Sequence, residues 1–102
     1  MSLSKQFLKS KPVCKVTFSL EAENANGATT VAVLGEFNDW DSSATPLKKQ
    51  KDGSFKGTVE LAAGQEFQFR YLVDGETWLN DTQADKFVAS GISSEENSVL
   101  VL

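Results

Sequence analysis

The sequence predicts an all-β fold, an antiparallel sandwich of about seven short strands. Three observations predict it. Apolar and polar residues alternate with a period of two along most of the chain. Turn signals recur between the alternating runs. No segment after residue 12 carries the longer periodicity of an amphipathic helix. At 102 residues the chain has the size of one domain that buries a core without metal or disulfide. Its seven Phe, two Trp and one Tyr supply the bulk for that core.

Cys14, Val16, Phe18 and Leu20 fall on one face, and Lys15, Thr17, Ser19 and Glu21 on the other. This is the pattern of a half-buried strand. Residues 24–28 (NANGA) end it with turn chemistry. A second strand is expected over 29–37, with Val31, Val33 and Gly35 on one face and Ala32 and Leu34 on the other. Asn38, Asp39, Trp40 and Asp41 then break the alternation, and a polar loop runs to Pro46. Residues 47–50 form a short strand, and Asp52-Gly53 is a hairpin signal. Phe55, Gly57, Val59 and Leu61 make the next alternating set. In 66–73, Phe67, Phe69, Tyr71 and Val73 face one way, and Gln68, Arg70 and Leu72 the other. Asp74-Gly75 is a second hairpin signal, leading to Thr77, Trp78 and Leu79. Residues 80–96 are polar, with Phe87 and Val88 as isolated apolar anchors, and Asn97 opens a last strand over 98–102. Residues 1–12 carry Lys5, Lys9 and Lys11 around Phe7 and Leu8 and are read as a flexible lead-in, with residues 13–102 as the sandwich domain. No continuous apolar stretch marks a signal peptide or a membrane span.

The composition excludes several classes of function. A net charge of −4 argues against a nucleic-acid binder, which carries a basic face, and against an electrostatic membrane anchor. The chain has no histidine, which removes the Ser-His-Asp and Cys-His arrangements and the commonest transition-metal ligand. One cysteine, Cys14, builds neither a disulfide nor a thiolate zinc site and agrees with a reducing, cytoplasmic setting. No phosphate-binding glycine loop is present, and no cofactor is expected. Glu36, Asp39 and Asp41 gather around one loop, and Glu95 and Glu96 precede the last strand; these carboxylates are read as solvated turn residues rather than a glycosidase pair.

The informative side chains are Trp40 and Trp78, because neither sits inside an alternating strand. Each is either a lid over the sandwich edge or a platform for a ligand. An indole stacks on the C–H faces of a glucose ring, whose rim hydroxyls then need a few polar partners. Arg70, on the non-core face of its strand, and Asn97 are such partners.

Gly35-Glu36-Phe37-Asn38-Asp39-Trp40 resembles the G-x-F-N-x-W turn of the family 48 carbohydrate-binding modules. Residues 69–75 (FRYLVDG) with Trp78 resemble that family's F/Y-K/R-F-x-V-D-G-x-W segment, and residues 97–101 (NSVLV) its closing N-S-V strand. The three motifs stand in the family's order and spacing over almost the whole chain, from about residue 13 onward. The resemblance implies an immunoglobulin-like β-sandwich and, often, α-1,4-glucan binding. Such modules sit beside glycogen branching and debranching enzymes and form the glycogen-binding domain of the AMP-activated protein kinase beta subunit. In the kinase-type domain two Trp stack on glucose while a Lys and an Asn hydrogen-bond to it. Trp40 and Trp78 match the two Trp, Arg70 matches the Lys, and Asn97 the Asn. Ile92 stands for a Leu ahead of that Asn. The sequence departs from the pattern in Arg for Lys and in Thr77, one residue more between the Asp-Gly turn and Trp78.

The resemblance thus implies a non-catalytic module for glycogen, starch or maltodextrin. A protein-docking or regulatory module, attached to a glycoside hydrolase, branching enzyme or kinase, is the alternative. A stand-alone hydrolase is not expected, because the usual catalytic barrel needs roughly 250 residues.

Overall fold

The computed structural model describes residues 2–25, 27–81, 83–89 and 96–102. It is an antiparallel β-sandwich. In chain order the strands are β1 (Ser2–Phe7), β2 (Val13–Leu20), β3 (Val31–Gly35), β4 (Pro46–Lys49), β5 (Phe55–Ala62), β6 (Glu66–Val73), β7 (Thr77–Leu79), β8 (Lys86–Ala89) and β9 (Glu96–Val101). The spatial order is β1-β2-β5-β4-β3-β6-β9-β8, with β7 also on β6. β4 belongs to both layers: Lys48 and Lys49 pair with β5, while Pro46 and Leu47 pair with β3. The sheet therefore folds over at β4 and closes on its own apolar face.

The period-two pattern explains the core. Cys14, Val16, Phe18 and Leu20 of β2 are buried and face Phe69, Tyr71 and Val73 of β6 across the layers. Phe18 is the centre of an aromatic cluster, its ring centroid 5.2 Å from Phe69, 6.3 Å from Tyr71 and 5.7 Å from Phe37. Edge-to-face and stacked pairs at these spacings add to the area they bury. Tyr71 carries a hydroxyl into this core and donates it to Asp81 Oδ2 at 2.7 Å. Burial, the Asp81 charge and that hydrogen bond all push the Tyr71 hydroxyl above its ordinary range, so it stays a donor.

Several local expectations need correction. Residues 2–7, expected in a flexible lead-in, form β1 along most of β2, from Ser2↔Ser19 to Phe7↔Cys14. Leu3 packs on the core, and Lys5 turns inward to reach Asp85 Oδ2 at 2.6 Å and the Val101 carbonyl at 2.9 Å. An inward charge is a common device on an edge strand; here it also ties β1 to the opposite layer. Phe87 and Val88, read as isolated anchors, belong to β8, which pairs with β9 from Lys86↔Val99 to Ala89↔Glu96. A one-turn helix, Ala22–Ala25, stands ahead of the turn after β2. The last strand opens at Glu96 rather than after Asn97. With β1 and β8 added, the described strands number nine against the about seven that pattern alone supports.

The candidate glucan-contacting surface

The outer face of β6 presents Gln68, Arg70 and Leu72, because Phe69, Tyr71 and Val73 are committed to the core. Two strands lie end to end along one edge of β6. β7 pairs its Trp78 with Leu72, and β9 pairs its Val99 with Gln68. On the other edge β3 sets Ala32 opposite Leu72 and Leu34 opposite Arg70. Directly paired residues share a face. Trp78 thus stands on the outer face beside Leu72, one pleat repeat or roughly 7 Å along the strand from Arg70.

Thr77 does not displace Trp78 from that face. Asp74 and Gly75 adopt positive φ of 52° and 71°, the conformation that an Asp-Gly turn favours. The Glu76 N–H closes the turn on the Val73 carbonyl at 3.0 Å. Thr77 is then used up opposite Val73, and Trp78 falls opposite Leu72. The hairpin is also clamped to the start of β3, because Asp74 Oδ1 accepts the N–H groups of Thr29 at 2.7 Å and Thr30 at 2.9 Å.

Arg70 and Asn97 are joined. Arg70 Nε donates to Asn97 Oδ1 at 2.5 Å, and Asn97 Nδ2 donates to Gln68 Oε1 at 2.9 Å. Asn97 is only 7% exposed, so its amide acts first inside this line of hydrogen bonds. Trp78 is 45% exposed; it is not a lid on the core.

Trp40 arrives by a different route. Gly35 ends β3 opposite Phe69, where a Cβ would stand 2.5 Å from the Gln68 carbonyl oxygen and 2.9 Å from Phe69 Cβ. Only glycine fits so close an approach. Residues Glu36–Asn38 then make one 3-10 turn. Phe37 stacks on Phe18 and meets Phe67 edge-on at 6.2 Å, pinning the turn to the core. Asn38 knots it: Oδ1 accepts from Gly35 N–H at 2.9 Å, while Nδ2 donates to the Val33 carbonyl and to Thr45 Oγ1, each at 3.0 Å. Asp39 and Trp40 follow at φ of 55° and 58°, a left-handed conformation that costs energy for a bulky residue. The Trp40 N–H is held by the Gly35 carbonyl at 2.9 Å. The motif therefore divides its labour. Gly35, Phe37 and Asn38 build the turn, and the turn holds out an indole that is 36% exposed.

Of the carboxylates of this loop, Asp41 is engaged as a turn former. Asp41 Oδ1 accepts the Ser43 N–H and hydroxyl, each at 2.8 Å, and these two bonds hold its carboxyl below the usual range. Asp39 is exposed. Glu36, also exposed, is not merely solvated: its Oε1 accepts the Gln68 N–H at 2.7 Å. Glu95 and Ile92 lie outside the described residues.

Two contributors escaped the sequence reading. Gln68 shares its alternating face with Arg70, which was the available signal, but only the fold shows it beside Asn97. Asn80 links β7 to β9, a contact between residues 80 and 98 that periodicity does not reveal.

Residues 18–98, a span that includes Trp40, Arg70, Trp78 and Asn97, match the model of a family described as the glycogen recognition site of AMP-activated protein kinase. The chain is 33% identical over 90 residues to Cruciform DNA-recognizing protein 1 of Saccharomyces cerevisiae strain RM11-1a, over 85% of this chain and 18% of that protein. The counterpart in strain ATCC 204508 / S288c gives the same figures. The chain thus spans 18% of the length of the curated relatives it matches. The family match takes in both the Gly35-to-Trp40 turn and the β6–β7 hairpin, and this chain belongs to the family of the glycogen recognition site of AMP-activated protein kinase.

Proposed function

We propose that this domain binds α-1,4-linked glucans such as glycogen, starch or maltodextrin without acting on them. Trp40 and Trp78 stack on glucose rings, and Arg70 and Asn97 supply polar contacts. The observation that carries this reading is the Arg70–Asn97 hydrogen bond at 2.5 Å on the same sheet face as an exposed indole. Apolar C–H faces and hydroxyl rims of a sugar need that combination. The guanidinium, a donor-only group, suits the lone pairs of sugar oxygens.

Nucleic acid is not part of this reading, although the yeast relative's name speaks of cruciform DNA. Fourteen acidic against ten basic residues oppose a phosphate-tracking mode. A reducing, cytoplasmic setting belongs to the same proposal, supported by the free, buried thiol of Cys14.

A second reading, a docking module for a glucan-active enzyme or a kinase, draws on the 18% coverage of the relatives, in which this domain is a small part of a longer chain. Titration with maltoheptaose, followed by tryptophan fluorescence and with a β-linked glucose oligomer as control, separates the two. A saturable change with the α-linked sugar alone supports the glucan site. No change at millimolar sugar moves the assignment to docking.

A further inference from the structure

Gln68 is where the two halves of the site meet. Its side chain lies on the outer face of β6, and its main-chain N–H lies just beyond the point where β3 stops pairing, at Gly35↔Phe69. Each part holds a different arm.

The side chain sets the direction of the amide line. An Asn amide has one accepting and one donating end, and turning it over exchanges them. Arg70 has only donors, so Asn97 must show it the carbonyl oxygen, and Asn97 Oδ1 lies 2.5 Å from Arg70 Nε. The Asn97 Nδ2 end then needs an acceptor, which Gln68 Oε1 provides at 2.9 Å. Gln68 thereby turns its own amide nitrogen away from Asn97. The line runs Arg70 to Asn97 to Gln68, and it has one polarity. Asn97 is almost wholly covered, and a misoriented amide there would leave a donor facing a donor, which is costly in a low-dielectric setting.

The main chain holds the other arm. The Gln68 N–H donates to Glu36 Oε1 at 2.7 Å, and Glu36 opens the 3-10 turn that leads to Trp40. The turn is therefore fastened at its first residue to the same strand position that orients Asn97.

We infer that Gln68 is the positioning residue of this surface. Its side-chain oxygen fixes the Asn97 amide and with it the Arg70 guanidinium, and its N–H, through Glu36, fixes the turn that carries Trp40. The consequence for sugar affinity rests on the glucan reading; the orientation of Asn97 does not.

The test compares the full chain with Gln68→Met, which keeps the length and removes the oxygen, and Gln68→Glu, which keeps an accepting oxygen. The Asn97 side-chain amide is followed by 15N NMR without sugar, and maltoheptaose affinity by calorimetry. In Gln68→Met the two Asn97 amide protons move to the shifts and fast exchange of a free amide, and affinity falls about five- to tenfold, as for one lost positioning hydrogen bond. Gln68→Glu retains the protected amide and most of the affinity. An Asn97 amide unchanged in Gln68→Met overturns the inference, and so does equal weakening by both variants, which would mark a packing role. The second arm is read in Glu36→Ala on a Trp78→Phe background. The anisotropy of Trp40 emission drops if Glu36 holds the turn, and an unchanged anisotropy removes that arm. If the wild-type chain binds no maltoheptaose, the glucan reading fails, and the Asn97 amide still decides the role of Gln68.

Discussion

Asn80 and Ser98 splice two strands that run end to end along one edge of β6. Asn80 Oδ1 accepts the Ser98 N–H at 3.0 Å and the Ser98 hydroxyl at 2.8 Å, and Asn80 Nδ2 donates to the Glu96 carbonyl at 2.7 Å. The Ser98 Oγ in turn accepts the Asp81 N–H at 2.9 Å. This knot sets the distance between Trp78, two residues before Asn80, and Asn97, one residue before Ser98.

Asn80→Ala leaves the Ser98 donors without their acceptor in a buried place, and is expected to cost about 2–3 kcal/mol of stability. Ser98→Ala, which strands the Asp81 N–H, is expected to cost about 1–2 kcal/mol. Urea unfolding measures both. Maltoheptaose affinity should fall in each under conditions where the protein is fully folded, because the stacking and polar groups lose their common frame. Unchanged affinity in folded Asn80→Ala would separate the knot from the site.

The exposed indoles should matter for sugar far more than for folding. Trp40→Ala and Trp78→Ala are each expected to weaken maltoheptaose about tenfold or more, with stability changed by no more than about 1 kcal/mol. Trp40 adds a backbone test. At its φ of 58° glycine is favoured over alanine, so Trp40→Gly should be more stable than Trp40→Ala by about 1 kcal/mol. Chemical denaturation of the pair decides whether the turn holds Trp40 against its own preference.

Gly35→Ala is expected to be among the most damaging single-methyl changes in the chain. The added Cβ would meet backbone at the Gln68 carbonyl, 2.5 Å away, as well as Phe69 Cβ, and neither is a flexible group that can move aside. Overpacking of this kind costs about 1–3 kcal/mol or more, and the turn carrying Trp40 would shift with it. Thermal unfolding, together with the near-ultraviolet signal of Trp40, reads both effects.

The Lys5–Asp85 contact predicts a pH dependence. Burial pushes the Asp85 carboxyl up. The Lys5 hydrogen bond, the Val101 N–H and the Lys5 charge together outweigh burial, so the net shift is downward. A carboxyl lowered in the folded state contributes stability that is full above its unfolded value, about 3.9, and is lost as pH falls through the folded value. The stability difference between wild type and Asp85→Asn should therefore be largest near neutral pH and shrink below about pH 4. Solvent screening keeps it near or below about 1 kcal/mol. Urea midpoints measured across that range check the sign.

Legibility followed the range of the interactions. β6 was readable to the residue, because eight positions alternate cleanly between two turn signals. The Asp-Gly hairpins were readable because positive φ is a local demand. β8 was not: Phe87 and Val88 make a short, half-exposed edge strand that exists through its pairing with β9. β1 escaped for a similar reason. Its pattern places Lys5 on the inward side, which looks wrong for a strand until Asp85 and the Val101 carbonyl come across from the other layer.

By itself the sequence determined the sandwich, the two turns and the identity of the exposed-ring candidates. Periodicity, glycine placement and turn chemistry act over a few residues, and the chain carries them wherever it goes. Only the tertiary structure decided that Arg70 donates to Asn97, that Asn97 is covered and oriented by Gln68, and that Glu36 ties the Trp40 turn to β6. Those contacts join positions 27 to 32 residues apart. They depend on which strand lies beside β6 and in which register, and one residue of slip would turn every one of these side chains to the opposite face.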